Sequence, residues 1–427
     1  MSGVTESGVV ESDVVGGRSL GRGFGWLWGA YTVSTFGTRL AFDAFPLIAV
    51  MVLDAGPARV AALSAAGLAV GAVVAVPLGP WVEFRRKRPV MIATDLLRCA
   101  VLLSVPLAYA LGRLGFAQLL VVSVVVAAAD ITFRAAAGSC LKALVRGPDL
   151  LRANGRFEVT TWTAAMLGPP VGGAAIGLFG PVVTVAADAV SYLLSALGIR
   201  AIGGGEPHPR RAAASRLRAG DLLDGWRYVL ASPALRPLFL NTVLVNGLIM
   251  ATAPLLAVLM LGDLGFAPWQ YALAFAVPCL GGLVGSRMAG PLVARFGEHR
   301  VLVTSGVLRV CWPVGLAFVG PGTGGLVLVM AVEFGLIASV GVYNPVYATR
   351  RLELTPADRV ARTLSAWTVS GKLTTAALTA LWGLLAGLTG TRTAVALAGV
   401  LLLATPLLLP RQPHTSAPSP SRPAADG

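Results

Sequence analysis

Apolar runs of about 20 residues or more, broken by short polar turns, recur along almost the whole chain. A bilayer core of about 30 Å is crossed by about 20 helical residues, so each run reads as a membrane-spanning helix. The runs place helices at about 24–53, 57–83, 89–112, 116–145, 153–180 and 181–202. A second set follows at about 236–262, 268–296, 300–320, 323–350, 360–389 and 391–409, twelve in all. Connections such as Gly180-Pro181 and Gly390-Thr391 leave room for little more than a turn.

The polar interruptions assign sides. Between the second and third runs lies Gly79-Pro80-Trp81-Val82-Glu83-Phe84-Arg85-Arg86-Lys87-Arg88, a turn too short to be a domain and dense in cations. Juxtamembrane Lys and Arg mark the cytoplasmic face. Taking that turn as cytoplasmic puts Lys142, Arg146, Arg152, Arg200, Arg210, Arg211, Arg227, Arg295, Arg300, Arg350, Arg351 and Arg359 on the same side. The opposite loops hold only Arg59, Arg113 and Arg392, which predicts an even helix count with both termini cytoplasmic.

One long loop divides the chain. Its start, Gly203-Gly204-Gly205-Glu206-Pro207, is linker chemistry, and its later part places Leu222, Leu223, Trp226, Val229 and Leu230 on one helical face. An amphipathic helix at the inner membrane surface is expected there. A shift of 211 residues aligns Gly79, Pro80 and Val82 with Gly290, Pro291 and Val293, and Val90, Leu97 and Arg98 with Val301, Leu308 and Arg309. The expected organisation is an N-terminal tail (1–23), a six-helix bundle (24–202), a linker (203–235), a second six-helix bundle (236–409) and a disordered Pro- and Ser-rich tail (410–427).

Composition agrees with a polytopic membrane protein: 56% hydrophobic and 13% charged, at a mean hydropathy of +0.75. The formal charge of +14 would suit nucleic acid, but its cations sit between membrane runs, so no nucleic-acid partner is expected. Cys99, Cys140, Cys279 and Cys311 lie in or at the ends of apolar segments without ligand spacing, and read as reduced filler residues. Residues 1–20 lack a basic, then apolar, leader pattern, so no cleaved signal peptide is expected. With His208, His299 and His414 all outside the runs, no phosphate-binding loop and no His-Glu-x-x-His, neither a metal, a cofactor nor an enzyme activity is expected. A bias to Ala, Gly, Val and Arg, with only Lys87, Lys142 and Lys372 as lysines, points to a GC-rich bacterium and its cell membrane.

A charge at the centre of a membrane helix costs about 2.5–3.5 kcal/mol, so such residues must face water or one another. Arg39 and Asp43 are spaced one turn apart, as are Asp130 and Arg134. Arg98, Asp188, Arg309, Glu333 and Lys372 complete the deep set. A carboxylate in such a place can carry a proton, its ionisation set by burial and by approaching cations. Asp43 and Glu333 are the first candidates for that role, then Asp130 and Asp188; the plainer reading is that each acid neutralises an arginine and holds helices together. Trp28, Tyr31, Phe36, Phe45, Trp162, Tyr343 and Trp367 are placed to stack on a lipophilic ligand or to anchor at the interface.

The basic turn, the run Pro89 to Arg98, the segment Arg152-Ala153-Asn154-Gly155-Arg156 and Gly168-Pro169-Pro170-Val171-Gly172-Gly173 together resemble the major facilitator superfamily, in particular its drug:proton antiporter branch with macrolide-efflux and enterobactin-exporter-like proteins. The resemblance covers about 24–409. Gly79, Glu83, Lys87 and Arg88 fit the superfamily's motif at the inner gate, while Phe84 and Arg86 depart from it and Ala294 stands at the acid position of the second copy. Arg134 and Gly138 match the helix-4 motif. Gly168, Pro169, Gly172 and Gly173 look like the antiporter motif of helix 5, which in those families seals the cavity against proton leak. The resemblance implies a monomeric twelve-helix transporter exporting an antibiotic, secondary metabolite or siderophore in exchange for protons. The alternatives are uptake or facilitated diffusion of a small metabolite, or a non-transporting sensor or enzyme on the same fold.

Overall fold

Backbone inside hydrocarbon must satisfy its own hydrogen bonds, which leaves helices as the form open to these runs. A computed structural model describes residues 20–41, 44–53, 63, 67, 70, 73, 76–203 and 223–409, and no strand occurs among them. The first half contains α1 (Arg22–Leu40), α2 (Ala44–Met51), α3 (Leu78–Glu83), α4 (Lys87–Ala110), α5 (Phe116–Leu144), α6 (Leu150–Phe179) and α7 (Pro181–Arg200). A short α8 (Asp224–Ala231) precedes the second half: α9 (Leu235–Ala257), α10 (Pro268–Ala276), α11 (Cys279–Phe296), α12 (Glu298–Cys311), α13 (Gly322–Glu353), α14 (Val360–Thr389) and α15 (Thr391–Ala404).

Ten helical stretches among the described residues are long and apolar enough to cross a bilayer. The helix expected at 24–53 is described as two pieces, α1 and α2, and most of the one expected at 57–83 lies outside the described residues, as do 1–19, 204–222 and 410–427. Two further expected spans stand, each with a local interruption at a proline, which has no N–H to continue a helix. The single helix expected at 268–296 is α10 and α11, parted at Pro278, and the one at 300–320 leaves α-helical geometry at Pro313, continuing as a 3-10 segment to Phe318. The two tight reversals stand: Gly180 and Gly390, at φ 82° and 88°, each end one helix and begin the next.

α1, α4, α5, α6 and α7 pack on one another, and α9, α11, α12, α13, α14 and α15 form the second bundle. The repeat recognised in the sequence has a structural counterpart: Val90 and Val301 are buried near the starts of α4 and α12, and Arg98 and Arg309 are buried at equivalent depth. α8 packs against α14 of the second bundle, burying Gly225 and Val229, while Trp226 Nε1 donates to Ser370 Oγ at 2.8 Å. Leu223 and Leu230, expected on the same apolar face, are exposed beside it.

Candidate functional site

The sequence put deep charges on several helices, and folding gathers many of them in the first bundle. Arg98 on α4 and its neighbour Asp95, one helical turn earlier, are 3% and 0% exposed and paired at 2.6 Å. Asp95 also accepts from Ser195 Oγ of α7 at 2.7 Å, and the Arg98 guanidinium lies over the rings of Phe133 and Tyr192. Arg98 continues the chain to Asp130 of α5 at 3.7 Å. Asp130 in turn accepts from Arg134 Nε at 2.9 Å and stands 3.9 Å from Lys372 Nζ of α14, in the opposite bundle. Pairing of this kind lets buried charges persist in a low-dielectric interior.

Arg309, the counterpart of Arg98, is 1% exposed but has an amide partner instead of an acid. It donates to Asn241 Oδ1 at 2.6 Å and lies 3.5 Å from the centre of the Tyr343 ring. The residue aligned with Asp95 under the 211 shift is Gly306, which accounts for the lost carboxylate.

Of the described acids that no salt bridge engages, three lie well inside membrane-spanning helices: Asp188, Glu158 and Glu333. Asp188 Oδ1 accepts a hydrogen bond from Ser191 at 3.3 Å. Glu333 is buried on α13, near Tyr271 and Cys279. Glu158, on α6, was passed over in the sequence. Its Oε1 accepts from Trp162 Nε1 at 2.9 Å and, across the two bundles, from Asn344 Nδ2 at 2.7 Å. The spacing of Glu158 and Trp162 on an apolar helix was a readable signal; Asn344 is supplied by tertiary structure. Asp43, the leading acid in the sequence, lies outside the described residues, and its neighbour Arg39 has no carboxylate within bridging distance among those described.

At the end of the molecule that carries the basic turn, the bundles are locked together. Glu83 pairs with Arg362 of α14, whose Nη1 also donates to Asp224 of α8 at 2.8 Å. One guanidinium thus joins both bundles and the linker helix. Lys142 Nζ donates to the carbonyls of Leu352 and Thr355 at the C-terminal end of α13, where a cation complements the helix dipole. Further along the interface, Asn154 Nδ2 donates to Thr349 Oγ1 at 3.0 Å. Of the residues expected at the inner gate, Glu83 meets a cation from the other bundle. Lys87 donates to the carbonyls of Val82 and Glu83 at 2.8 and 2.7 Å, and Arg88 to that of Ile202 at 2.9 Å. Gly79 lies within α3. Every ion pair and hydrogen bond between the bundles among the described residues falls at the depth of Asp130 and Lys372 or nearer this basic end.

The glycine motif on α6 divides in two. A Cβ at Gly168 would stand 2.6 Å from Arg39 Cβ, and one at Gly172 would stand 2.3 Å from the Leu40 carbonyl oxygen, so these two permit close crossing of α1. Gly173, expected in the same seam, has nothing within 4 Å of its Cβ position and lines a small cavity with Pro169. Of the aromatics, Trp28 donates to Thr160 at 3.0 Å and Tyr31 meets Thr161 at 2.9 Å and the Phe157 ring edge-on. Tyr343 and Trp367 are buried in the core of the second bundle, not on the cleft. A cavity of about 250 Å³ between the bundles is walled by Tyr31, Phe133, Arg134 and Phe157 on one side and Arg351 and Thr368 on the other.

The comparisons with known proteins follow the same outline. The family model of the Major Facilitator Superfamily matches residues 27–351. The multidrug efflux pump Tap of Mycobacterium tuberculosis (strain ATCC 25618 / H37Rv) is 28% identical over 279 residues, which are 63% of this chain and 64% of that pump. The chain thus spans under two thirds of the length of that curated relative. Among solved structures, a bacterial homologue of the iron transporter ferroportin in its outward-facing state superposes with a TM-score of 0.75 at 16% identity, covering 91% of this chain and 98% of that one. The E. coli fucose:proton symporter FucP does so with a TM-score of 0.66 at 14% identity, over 92% and 100%. At those identities the structures speak to the fold alone. With its family model running through most of both bundles, this multi-pass membrane chain belongs to the Major Facilitator Superfamily.

Proposed function

We propose that the chain exports a lipophilic small molecule, such as an antibiotic, secondary metabolite or siderophore, across the bacterial plasma membrane in exchange for protons. Its two bundles rock about the central site, with the basic end cytoplasmic and sealed in the state described. The observation that carries this reading is that, among the described residues, the ion pairs and hydrogen bonds between the bundles gather toward the basic end, beside acids without an ion-pair partner, above all Glu158. A carboxylate that bridges the bundles when ionised, accepting from Asn344, loses much of that bond when it takes a proton. Protonation at Glu158 then weakens a contact specific to the closed inner face, which is what coupling requires. Glu333 and Asp188 are the next candidates. Asp130, held by Arg98, Arg134 and Lys372, neutralises charge more than it carries protons. Export is the direction shared with the Tap relative.

The test uses everted membrane vesicles holding an acid interior. Substrate added outside releases part of the pH gradient in the wild type. Glu158→Gln should abolish that release while leaving substrate counterflow, which needs no gradient, intact. Wild-type release from both Glu158→Gln and Glu333→Gln would remove these acids from the mechanism.

A further inference from the structure

The cavity between the bundles carries a charge imbalance that bears on the class of substrate. Asp130 occupies the Nε of Arg134, and the rest of that guanidinium has no other partner among the described residues. Arg134 is 56% exposed although it lies midway along a membrane-spanning helix, so it faces the cleft and not lipid. Arg39 and Lys372 lie close enough to feel its charge. Asp130 is the carboxylate paired with Arg134 among the described residues, and two further cations, Arg39 and Lys372, lie near that guanidinium.

The cavity of about 250 Å³ sharpens the imbalance, because the described residues lining it include Arg134 and Arg351 and no Asp or Glu. Arg351 donates to the Tyr347 hydroxyl at 3.0 Å, and its buried Nε has no hydrogen-bond partner. Two guanidinium groups line this space with no carboxylate among the described residues of its wall, and the buried, unmet donor of Arg351 carries a desolvation cost that an incoming anion offsets. The planar fork of arginine matches carboxylate, sulfonate and phosphate oxygens. Tyr31, Phe133 and Phe157 give the same space aromatic walls, and Asn154 a neutral polar group.

We infer that this cavity takes an aromatic organic anion, its negative group against Arg134 and Arg351 and its ring against Tyr31, Phe133 and Phe157. The inference rests on the transport reading above and names its substrate class; a lipophilic cation is the class it excludes. The competing account is that both arginines only brace the fold, Arg134 through Asp130 and Arg351 through its stacking near Tyr347 and Trp367.

Fluorescein and rhodamine 123 share a xanthene frame and differ in charge sign. Anisotropy titrations of both dyes against the purified full chain in nanodiscs need no ion gradient and no variant. Saturable fluorescein binding, at least tenfold tighter than that of rhodamine 123 and weakened by salt, is the expected result. Arg351→Gln should lower fluorescein affinity about tenfold without changing rhodamine binding, and Arg351→Lys should restore part of it; a bracing role would not select between the dyes. Equal binding of both dyes, tighter binding of rhodamine 123, or binding of neither would overturn the anion site. The outcome is separable from the export reading. Fluorescein binding without protonophore-sensitive transport would keep the anion site and remove export, and gradient-driven export of rhodamine 123 alone would do the reverse.

Discussion

Replacing Arg362 by Gln should open the basic end of the protein. Its guanidinium meets Glu83 of the first bundle and Asp224 of the linker helix from a position in the second bundle, with Arg362 and Glu83 only 13% and 12% exposed. Breaking a largely buried ion pair by removing one partner costs about 3–5 kcal/mol, against about 0–1 kcal/mol for a solvated pair. A value near the lower bound, about 3 kcal/mol, fits a pair at the rim of the molecule with Asp224 partly solvated. Because the bridge exists only while the bundles meet at this end, the loss falls on the closed state alone. About 3 kcal/mol is roughly a hundredfold change in the ratio of closed to open forms. Spin labels at Arg146 and Ala357, on loops of opposite bundles at this end, report the opening by electron-electron dipolar distances once the native cysteines, of which Cys311 is exposed, are replaced. The wild type should give one short distance and Arg362→Gln a second, longer population, with a smaller shift for Glu83→Gln. An unchanged distance distribution in Arg362→Gln would refute the latch and leave the cations a topological role only.

The α6 motif predicts a contrast between neighbours: Gly172→Ala drives a methyl group against the Leu40 backbone and should lower the thermal midpoint by several degrees, whereas Gly173→Ala, with open space, should leave it unchanged. Arg309→Gln strips Asn241 and Tyr343 of a fully buried partner, so folded yield by size-exclusion chromatography should fall severalfold, and a normal yield would show that this arginine is dispensable. Asp43→Asn should abolish proton-driven export at normal expression; unchanged transport by that variant at neutral pH would take Asp43 out of the mechanism. Lys142→Met removes the donor to the α13 carbonyls and should add to the opening caused by Arg362→Gln in the same distance measurement.

The membrane runs were legible because a bilayer sets helix length so strictly, and the described spans follow them within a few residues, apart from the breaks at Pro278 and Pro313. Individual charges were legible where the partner is local. Asp130 with Arg134 was readable from a four-residue spacing, and Asp95 with Arg98 from three, although Asp95 was not singled out. Partners brought from other helices were not readable. Nothing in the basic turn points to Arg362, and nothing near residue 158 points to Asn344, because both contacts depend on how the bundles close. Lys372 was picked as a deep cation, but its approach to Asp130 of the other bundle appears only in the fold. The glycine motif shows the same limit: sequence marks three small residues, and only the position of α1 separates Gly168 and Gly172 from Gly173.

The most direct test of proton-driven export is drug accumulation in an efflux-deficient bacterial host expressing this chain, with and without a protonophore. The account predicts accumulation below that of the empty host, restored to the empty-host level when the protonophore collapses the gradient. Accumulation that rises on expression, or falls equally with and without the protonophore, would contradict it.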